Sequence, residues 1–205
     1  ASQGQPDFYV KGVPATTTVS ELEIDQPRIY FGESAEAVED VGVNSLQDEV
    51  DYPLSTEGQS VAYTNYSGDG GVGIGSFFRR LGFALRYSEL NLLISNQLSD
   101  DSKLIMERNV VSRVKKAAPF LYTDNDPYLA LIEGNLFWII DMYTVSDKYP
   151  YAQPADTRRI NENSGLPLNF NYLRNSVKAV VNAYDGTLNF YVVDENDPLI
   201  ATYND

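Results

Sequence analysis

Cysteine and histidine are both absent from these 205 residues. Without cysteine there is no disulfide, no thiolate nucleophile and no thiolate zinc site. Without histidine the usual general base near neutral pH is missing, and so is the commonest metal ligand. A membrane-spanning run is lacking as well. About 18–20 consecutive apolar residues are needed, and the longest candidate, residues 129–140, is interrupted by Glu133, Gly134 and Asn135. Bases are scarce, 15 against 29 acids, for a net charge of −14. That sign argues against nucleic acid as a partner and against anionic lipid as a general docking surface.

The charge is unevenly spread. Residues 1–78 carry 13 acids and 2 bases, residues 79–116 carry 4 acids and 8 bases, and residues 117–205 carry 12 acids and 5 bases. The basic island is what one solvated helix face supplies. A hydrophobic content of 43%, with 15 Tyr and 9 Phe, allows an aromatic core. The length suits one domain with an appendage. Residues 1–26, rich in Pro and Thr, read as an extended lead-in, and residues 27–205 as a single α+β domain. The start at Ala1, without Met or a signal-peptide pattern, reads as a piece of something longer.

The strongest local pattern is in residues 171–198. Val177, Ala179, Val181 and Ala183 alternate before Asp185-Gly186, and Leu188, Phe190 and Val192 alternate after it. Asp-Gly between alternating runs predicts a hairpin with a two-residue turn, because both positions need positive φ. A second hairpin is expected over residues 128–143 about Glu133-Gly134-Asn135, with both strands apolar on both faces and therefore central. Trp138, Ile140 and Phe190 are expected in the core. Residues 76–87 read as a helix on the spacing of Phe77, Leu81, Ala84 and Leu85. A further helix is expected from a cap among Ser99, Asp100, Asp101 and Ser102 to Ala118, ended by Pro119. Short strands are expected at residues 28–31 and 50–52. Residues 147–170, with Pro150, Pro154, Gly165 and Pro167, read as a long polar loop. The architecture predicted is α+β: an antiparallel sheet built largely from two hairpins and packed by two or three helices.

Beyond these patterns the wording is specific. Asn171-Tyr172-Leu173-Arg174-Asn175-Ser176-Val177-Lys178 closely resembles the signature segment of UPF0182, a family of bacterial membrane proteins. Other blocks are similar and occur in family order, among them Pro6-Asp7-Phe8-Tyr9, Pro27-Arg28-Ile29-Tyr30-Phe31-Gly32-Glu33, Ala118-Pro119-Phe120-Leu121, Asp126-Pro127-Tyr128 and Trp138-Ile139-Ile140-Asp141. Residues 34–50 and 152–170 match weakly. The resemblance implies a parent with several N-terminal membrane helices and a large extracytoplasmic portion, of which this chain is a part. It implies no reaction.

Several constellations could carry chemistry. Residues 70–75, with Gly70, Gly71, Gly73 and Gly75, lead into the helix bearing Arg79 and Arg80, and a helix N-terminus with adjacent guanidinium groups can hold an anion. No Gly-Lys-Ser/Thr accompanies them, so a P-loop is excluded. The alternative is a loop packed tightly under a sheet, its arginines paired with carboxylates. The runs Asp124-Asn125-Asp126 and Asp194-Glu195-Asn196-Asp197 offer oxygens to Ca²⁺, but each lacks the glycine and distal glutamate of an EF-hand loop. Turn formation explains them without a metal. The pattern G-x-S-x-G does not occur, and no catalytic residue, cofactor or metal ligand is assigned.

The function expected is therefore non-catalytic: an extracytoplasmic domain of a polytopic bacterial membrane protein, serving assembly or ligand binding. Its partners would be the remainder of the parent protein, other envelope proteins or a small anion, and nucleic acid is not among them. The alternative is a cell-envelope hydrolase acting on carbohydrate or peptidoglycan with a carboxylate pair.

Overall fold

In a computed structural model, residues 8–34, 40–54 and 60–203 are described. The chain divides into two compact units, one of Ala1–Glu23 and Ala37–Arg108, the other of Ile24–Glu36 and Asn109–Asp205.

The first unit begins with a small hairpin of β1 (Val10–Lys11) and β2 (Thr16–Thr17). Then follow β3 (Val41–Ser45), β4 (Glu49–Pro53), β5 (Val61–Thr64), β6 (Val72–Gly73), helix α1 (Phe77–Tyr87), the single turn α2 (Asn91–Ile94) and β7 (Leu98–Ile105). Strands β3 and β6 flank β7 in one antiparallel sheet, and β4 pairs with β5. Val43, Tyr66, Ile74, Ala84, Leu104 and Ile105 are its buried apolar residues.

Strand β7 corrects the sequence reading, which runs a helix from residue 99 to 118. Both Ser99 and Ser102 act on a strand instead of capping a helix. Their hydroxyls donate to the carbonyl of Asn44 at 3.1 and 2.8 Å, and the Ser102 hydroxyl also accepts from the Ser99 amide at 2.8 Å. Pairing on both edges overrides a capping signal that only local bonds would support. The helix, α3 (Val110–Ala117), begins later. Asn109 caps it by accepting from the Ser112 amide at 2.8 Å, and Val110 and Val114 are buried at i, i+4.

The second unit adds β8 (Tyr122–Thr123), β9 (Tyr128–Ile132), β10 (Asn135–Ser146), β11 (Tyr172–Asn182), β12 (Leu188–Val192) and the short helix α4 (Pro198–Ala201). Its sheet runs β12-β11-β10-β8, with β9 pairing β10 as well. Both expected hairpins are present in this one antiparallel sheet, and the class is α+β. Strand β10 is central, as its two-sided apolarity requires. By contrast, among the described residues β9 pairs only with β10, and Tyr128, Leu129 and Ile132 are exposed, so its apolar residues line a sheet margin and not an interior strand.

The two turns exchange their expected roles. Glu133 and Gly134 have φ of 48° and 77° and close Ile132 onto Asn135, a two-residue turn with both centres left-handed. At Asp185-Gly186 the register instead pairs Val181 with Leu188, and the Gly186 amide donates to the Asn182 carbonyl at 2.9 Å. The loop therefore spans residues 183–186, and only Gly186 (φ 72°) is left-handed. A Cβ on Gly186 would run into the ring of Phe31. That glycine makes room for a neighbour as much as it turns the chain.

Phe31 explains why residues 28–31 form no strand. The Tyr30 and Phe31 amides both donate to the Ala183 carbonyl at 2.9 Å. The Phe31 carbonyl accepts from Trp138 Nε1 at 2.8 Å, and the Arg113 guanidinium lies 4.8 Å from the buried Phe31 ring. Val177, Ala179, Val181 and Ala183 are buried on one face of β11, opposite Ile140 and Met142 of β10. Trp138 is half-buried, its indole N–H satisfied. Phe190 departs from expectation: it is 42% exposed, because β12 is the last strand of the sheet. Gly186→Ala should destabilise the protein by about 2–3 kcal/mol, through the strained φ and overpacking against Phe31. Chemical denaturation checks this, and an unchanged midpoint would show that the ring is not held there.

Candidate functional site

The polar residues of the second unit's sheet fall into two clusters. The first lies on the face opposite the Ile140–Met142 core. Asp141 of β10 and Lys178 of β11 are direct cross-strand partners and form an ion pair, and Asn175 Nδ2 donates to Asp141 Oδ1 at 2.9 Å. At the register shift between Met142 and Tyr143 the extra residue is Ser176, which locally re-aims β11 here. Strand β8 delivers Asp124, whose amide donates to the Asp141 carbonyl at 3.3 Å. The Lys178 ammonium also lies 5.8 Å from the centre of the Tyr128 ring.

These neighbours drive the two carboxyls apart. Burial, and then the nearby Asp141 charge, push Asp124 above its ordinary value of 3.8. Asp141 is also raised by burial, but the bonds from Lys178 and Asn175 outweigh this and hold it below 3.8. Tyr143 is raised by burial and by the Asp124 and Asp141 charges. One carboxyl inclined to keep its proton beside one inclined to lose it is the pattern of acid–base pairs. It is also what a cross-strand ion pair does to a third acid nearby. The cavities described, of about 280 to 660 Å³, are lined by other residues.

The second cluster surrounds Asp197, which is fully buried. Its carboxylate accepts from the hydroxyls of Thr144 and Ser176, from Tyr172 at 2.6 Å and from the Leu199 amide at 2.9 Å. Burial opposes the charge, but these four donors overcome it and bring Asp197 down to about 2. The Tyr172 hydroxyl is pushed up to about 12 by burial and by that carboxylate. Asp197 thus caps α4, with Pro198 at the first helical position. Asp194 turns elsewhere, accepting from the Asn196 amide at 3.0 Å and pairing with Arg174 at 3.4 Å. At the other acidic run, Asn125 accepts from Lys115 at 3.0 Å and donates to the Asn163 carbonyl at 2.8 Å. Among the described residues, no group of three acidic side chains converges as a metal cage.

The glycine loop lies along β7 in the first unit. Gly71 abuts Leu104, Gly73 pairs with Lys103, and Gly75 abuts the main chain of Asp100. Gly70 precedes them and is half-buried. Arg79 donates to the Gly73 carbonyl at 3.2 Å, and Arg80 to Ile74, Leu98 and Ser99 carbonyls at 2.8, 3.3 and 3.1 Å. The guanidinium groups thus hold the loop to its own helix and strand. An anion here would compete with carbonyls for Arg80; the cleft that Gly73 and Ser99 line is also lined by Asp100, Asp101 and Lys103.

The model of the Uncharacterised protein family (UPF0182) matches residues 1–205. The chain belongs to the UPF0182 family. It is 44% identical to a UPF0182 protein of Trichodesmium erythraeum, covering 98% of this chain and 22% of that one. A UPF0182 protein of Clostridium novyi is 43% identical over 99% of this chain and 20% of its own length. Another, of Pelotomaculum thermopropionicum, is 42% identical over 98% and 20%. The chain therefore spans about a fifth of these relatives. No solved structure matches it. Among the described residues, no helix is long and apolar enough to cross a membrane.

Residues 171–178, which resemble the family's signature segment, have a physical reading. Residues 172–178 of β11 carry polar anchors: Tyr172 and Ser176 hold Asp197, Arg174 holds Asp194, and Asn175 and Lys178 hold Asp141. Sequence reasoning missed the Asp197 network, although Asp-Pro at a helix start was its visible signal.

Because Asp197 titrates lower in the folded protein than its ordinary 3.8, its contribution is complete above about pH 4 and is lost as pH falls towards 2. Asp197→Asn should cost about 2–3 kcal/mol at pH 7 and flatten the acid limb of the stability profile, measured by denaturation at a series of pH values. Asp124 has the opposite sign, its charge opposing folding once pH exceeds its raised pKa. Asp124→Asn should raise the melting temperature at pH 7, with the gain vanishing in acid. A drop at pH 7 would mean that the carboxylate has a stabilising partner.

Proposed function

We propose that this chain is a non-catalytic extracytoplasmic domain of a polytopic bacterial membrane protein, and that it serves to assemble against the rest of that polypeptide. The observation that carries this is the outward face of α1 and α2. Phe78 is 81% exposed, Leu85 is 73% and Ile94 is 72%, with Phe77 and Leu90 also open. Phe78 and Leu85 lie at i, i+7 on one face of α1, while Ala84 and Arg80 turn inward. Helix α1 contains three arginines and no acid, in a chain whose acids otherwise dominate. Large apolar side chains exposed together on neighbouring helices are the feature that suggests an interaction surface. The relatives carry some four-fifths of their length beyond the matched region, which provides an occupant. Assembly is favoured over capture of a small anion at residues 70–75, because Arg79 and Arg80 already hold main-chain carbonyls.

A second reading draws on Asp124 and Asp141: a cell-envelope hydrolase working with two carboxylates. The opposed pKa directions favour it. Against it, Asp141 is committed to Lys178 and Asn175 on a sheet face.

Two measurements on the complete gene product test the proposal. A membrane-impermeant maleimide should label Asn96→Cys in intact cells, since Asn96 is exposed beside α2. Labelling only after lysis would overturn the extracytoplasmic placement. Phe78→Asp should sharply reduce the protease-resistant yield of the complete protein, with Phe78→Leu restoring it. If Asp124→Asn instead produced the larger cellular defect, the hydrolase reading would take precedence.

A further inference from the structure

We propose that strand β12 is an acceptor edge, to which an extended strand from the rest of the UPF0182 polypeptide adds, laying alternate apolar side chains in the groove beneath it. The inference rests on the reading that this chain is one domain of a longer polypeptide, but not on which side of the membrane it lies.

The hydrogen-bond phase of the hairpin fixes which groups are open. The Asn182 amide donates to the Thr187 carbonyl, and the Val193 amide to the Ser176 carbonyl, with Val180 opposite Asn189 and Lys178 opposite Tyr191 between them. In an antiparallel ladder, residues of one parity bond inward and those of the other parity point outward. Asn189 and Tyr191 therefore bond to β11. The N–H and C=O groups of Leu188, Phe190 and Val192 point away from it, at the end of the sheet.

Those outward-facing residues also send their side chains towards the core face. Phe190 and Val192 lie opposite Ala179 and Val177, both buried. They line a cavity of about 280 Å³ together with Ala118, Leu121, Ile200 and Tyr203. One rim is formed by the rings of Phe120 and Tyr203, stacked 4.4 Å apart and both exposed. A strand docking on β12 would pair its main chain with Leu188, Phe190 and Val192, and every second side chain would fall over this groove. Main-chain pairing with pockets for alternate side chains is how added strands are recognised.

The strand itself lacks the residues that ordinarily blunt a free edge. Residues 188–192 contain no charge, proline or glycine, whereas exposed edges are ordinarily blunted by charges, proline or bulges. Charge decides between occupants. Asp185 lies before β12, and Asp194 and Glu195 after it. Antiparallel pairing of two copies of β12 would set acids against acids at both ends, which costs stability. A strand with basic flanks is complementary, and the unmatched length of the relatives can supply one.

The test places p-benzoylphenylalanine at Phe190 in the complete gene product, in cells. Phe190 is half-exposed and aromatic, so the replacement is tolerated by size and chemistry. Irradiation should join it to a segment of the same polypeptide outside these 205 residues, and the probe at Tyr191, on the other face, should not reach that segment. A cross-link to a second copy, to a different protein or to nothing would overturn the inference. Residue-resolved hydrogen exchange on the purified complete protein gives an independent reading. With a strand in place, the Phe190 and Val192 amides should exchange as slowly as those of Asn189 and Tyr191. If they exchange about tenfold faster or more, the edge is open and the proposal fails. Asn96→Cys labelling reports the membrane side separately, so either proposal can fall alone.

Discussion

A single buried carboxylate organises the second unit. Asp197 joins β10 through Thr144, β11 through Ser176 and Tyr172, and α4 through Leu199. A charge taken out of water costs several kcal/mol unless hydrogen bonds replace its hydration. Here four donors do so. The consequence is positional. With Asp197 anchored, α4 begins at Pro198 and drives Ile200 into the core beside Val177. The floor of the apolar groove is thus set by hydrogen bonds to a buried carboxylate. The same few residues of β11 serve both sheet faces, which gives the family signature segment a physical reading.

Much of this unit was legible because local and long-range preferences agree. The alternation in β11 puts Val177, Ala179, Val181 and Ala183 in the core as expected, and α1 begins and ends close to where its pattern stops. The failures have identifiable causes. Serines and aspartates at residues 99–102 are good helix caps and equally good partners for a neighbouring carbonyl. The nearby Asn44 carbonyl decided between them. Residues 28–31 have strand composition, yet Phe31 is a plug whose partners, Ala183, Gly186, Trp138 and Arg113, are more than 80 positions away or in another element. No window of sequence contains that information.

The two turns make the same point more narrowly. Asp-Gly and Glu-Gly both permit left-handed backbone, and composition ranks Asp-Gly as the better tight turn. The register is chosen by which residues must face the core. Closing β11 and β12 at Asn182 and Thr187 leaves Ala183 buried and its carbonyl free to accept from Tyr30 and Phe31. A two-residue turn at Asp185-Gly186 would have drawn that segment into the ladder. The docking site for residues 30–31 thus outweighs the local turn preference.

Charge and exposure together show a division of labour over the surface. The chain carries −14 overall, yet two of the exposed apolar elements among the described residues, the α1 face and the β12 edge, contain no acidic residue. Net charge of this size opposes self-association through long-range repulsion, which weakens within about 8–10 Å at physiological ionic strength. Apolar contact acts only once surfaces touch. Copies of this chain meeting at random are therefore repelled before their apolar faces can bind. A segment already tethered in the same polypeptide is held at high effective concentration and need not cross that barrier from solution. Acidic surroundings with docking elements free of acids are thus suited to a partner in cis and poorly suited to one in trans.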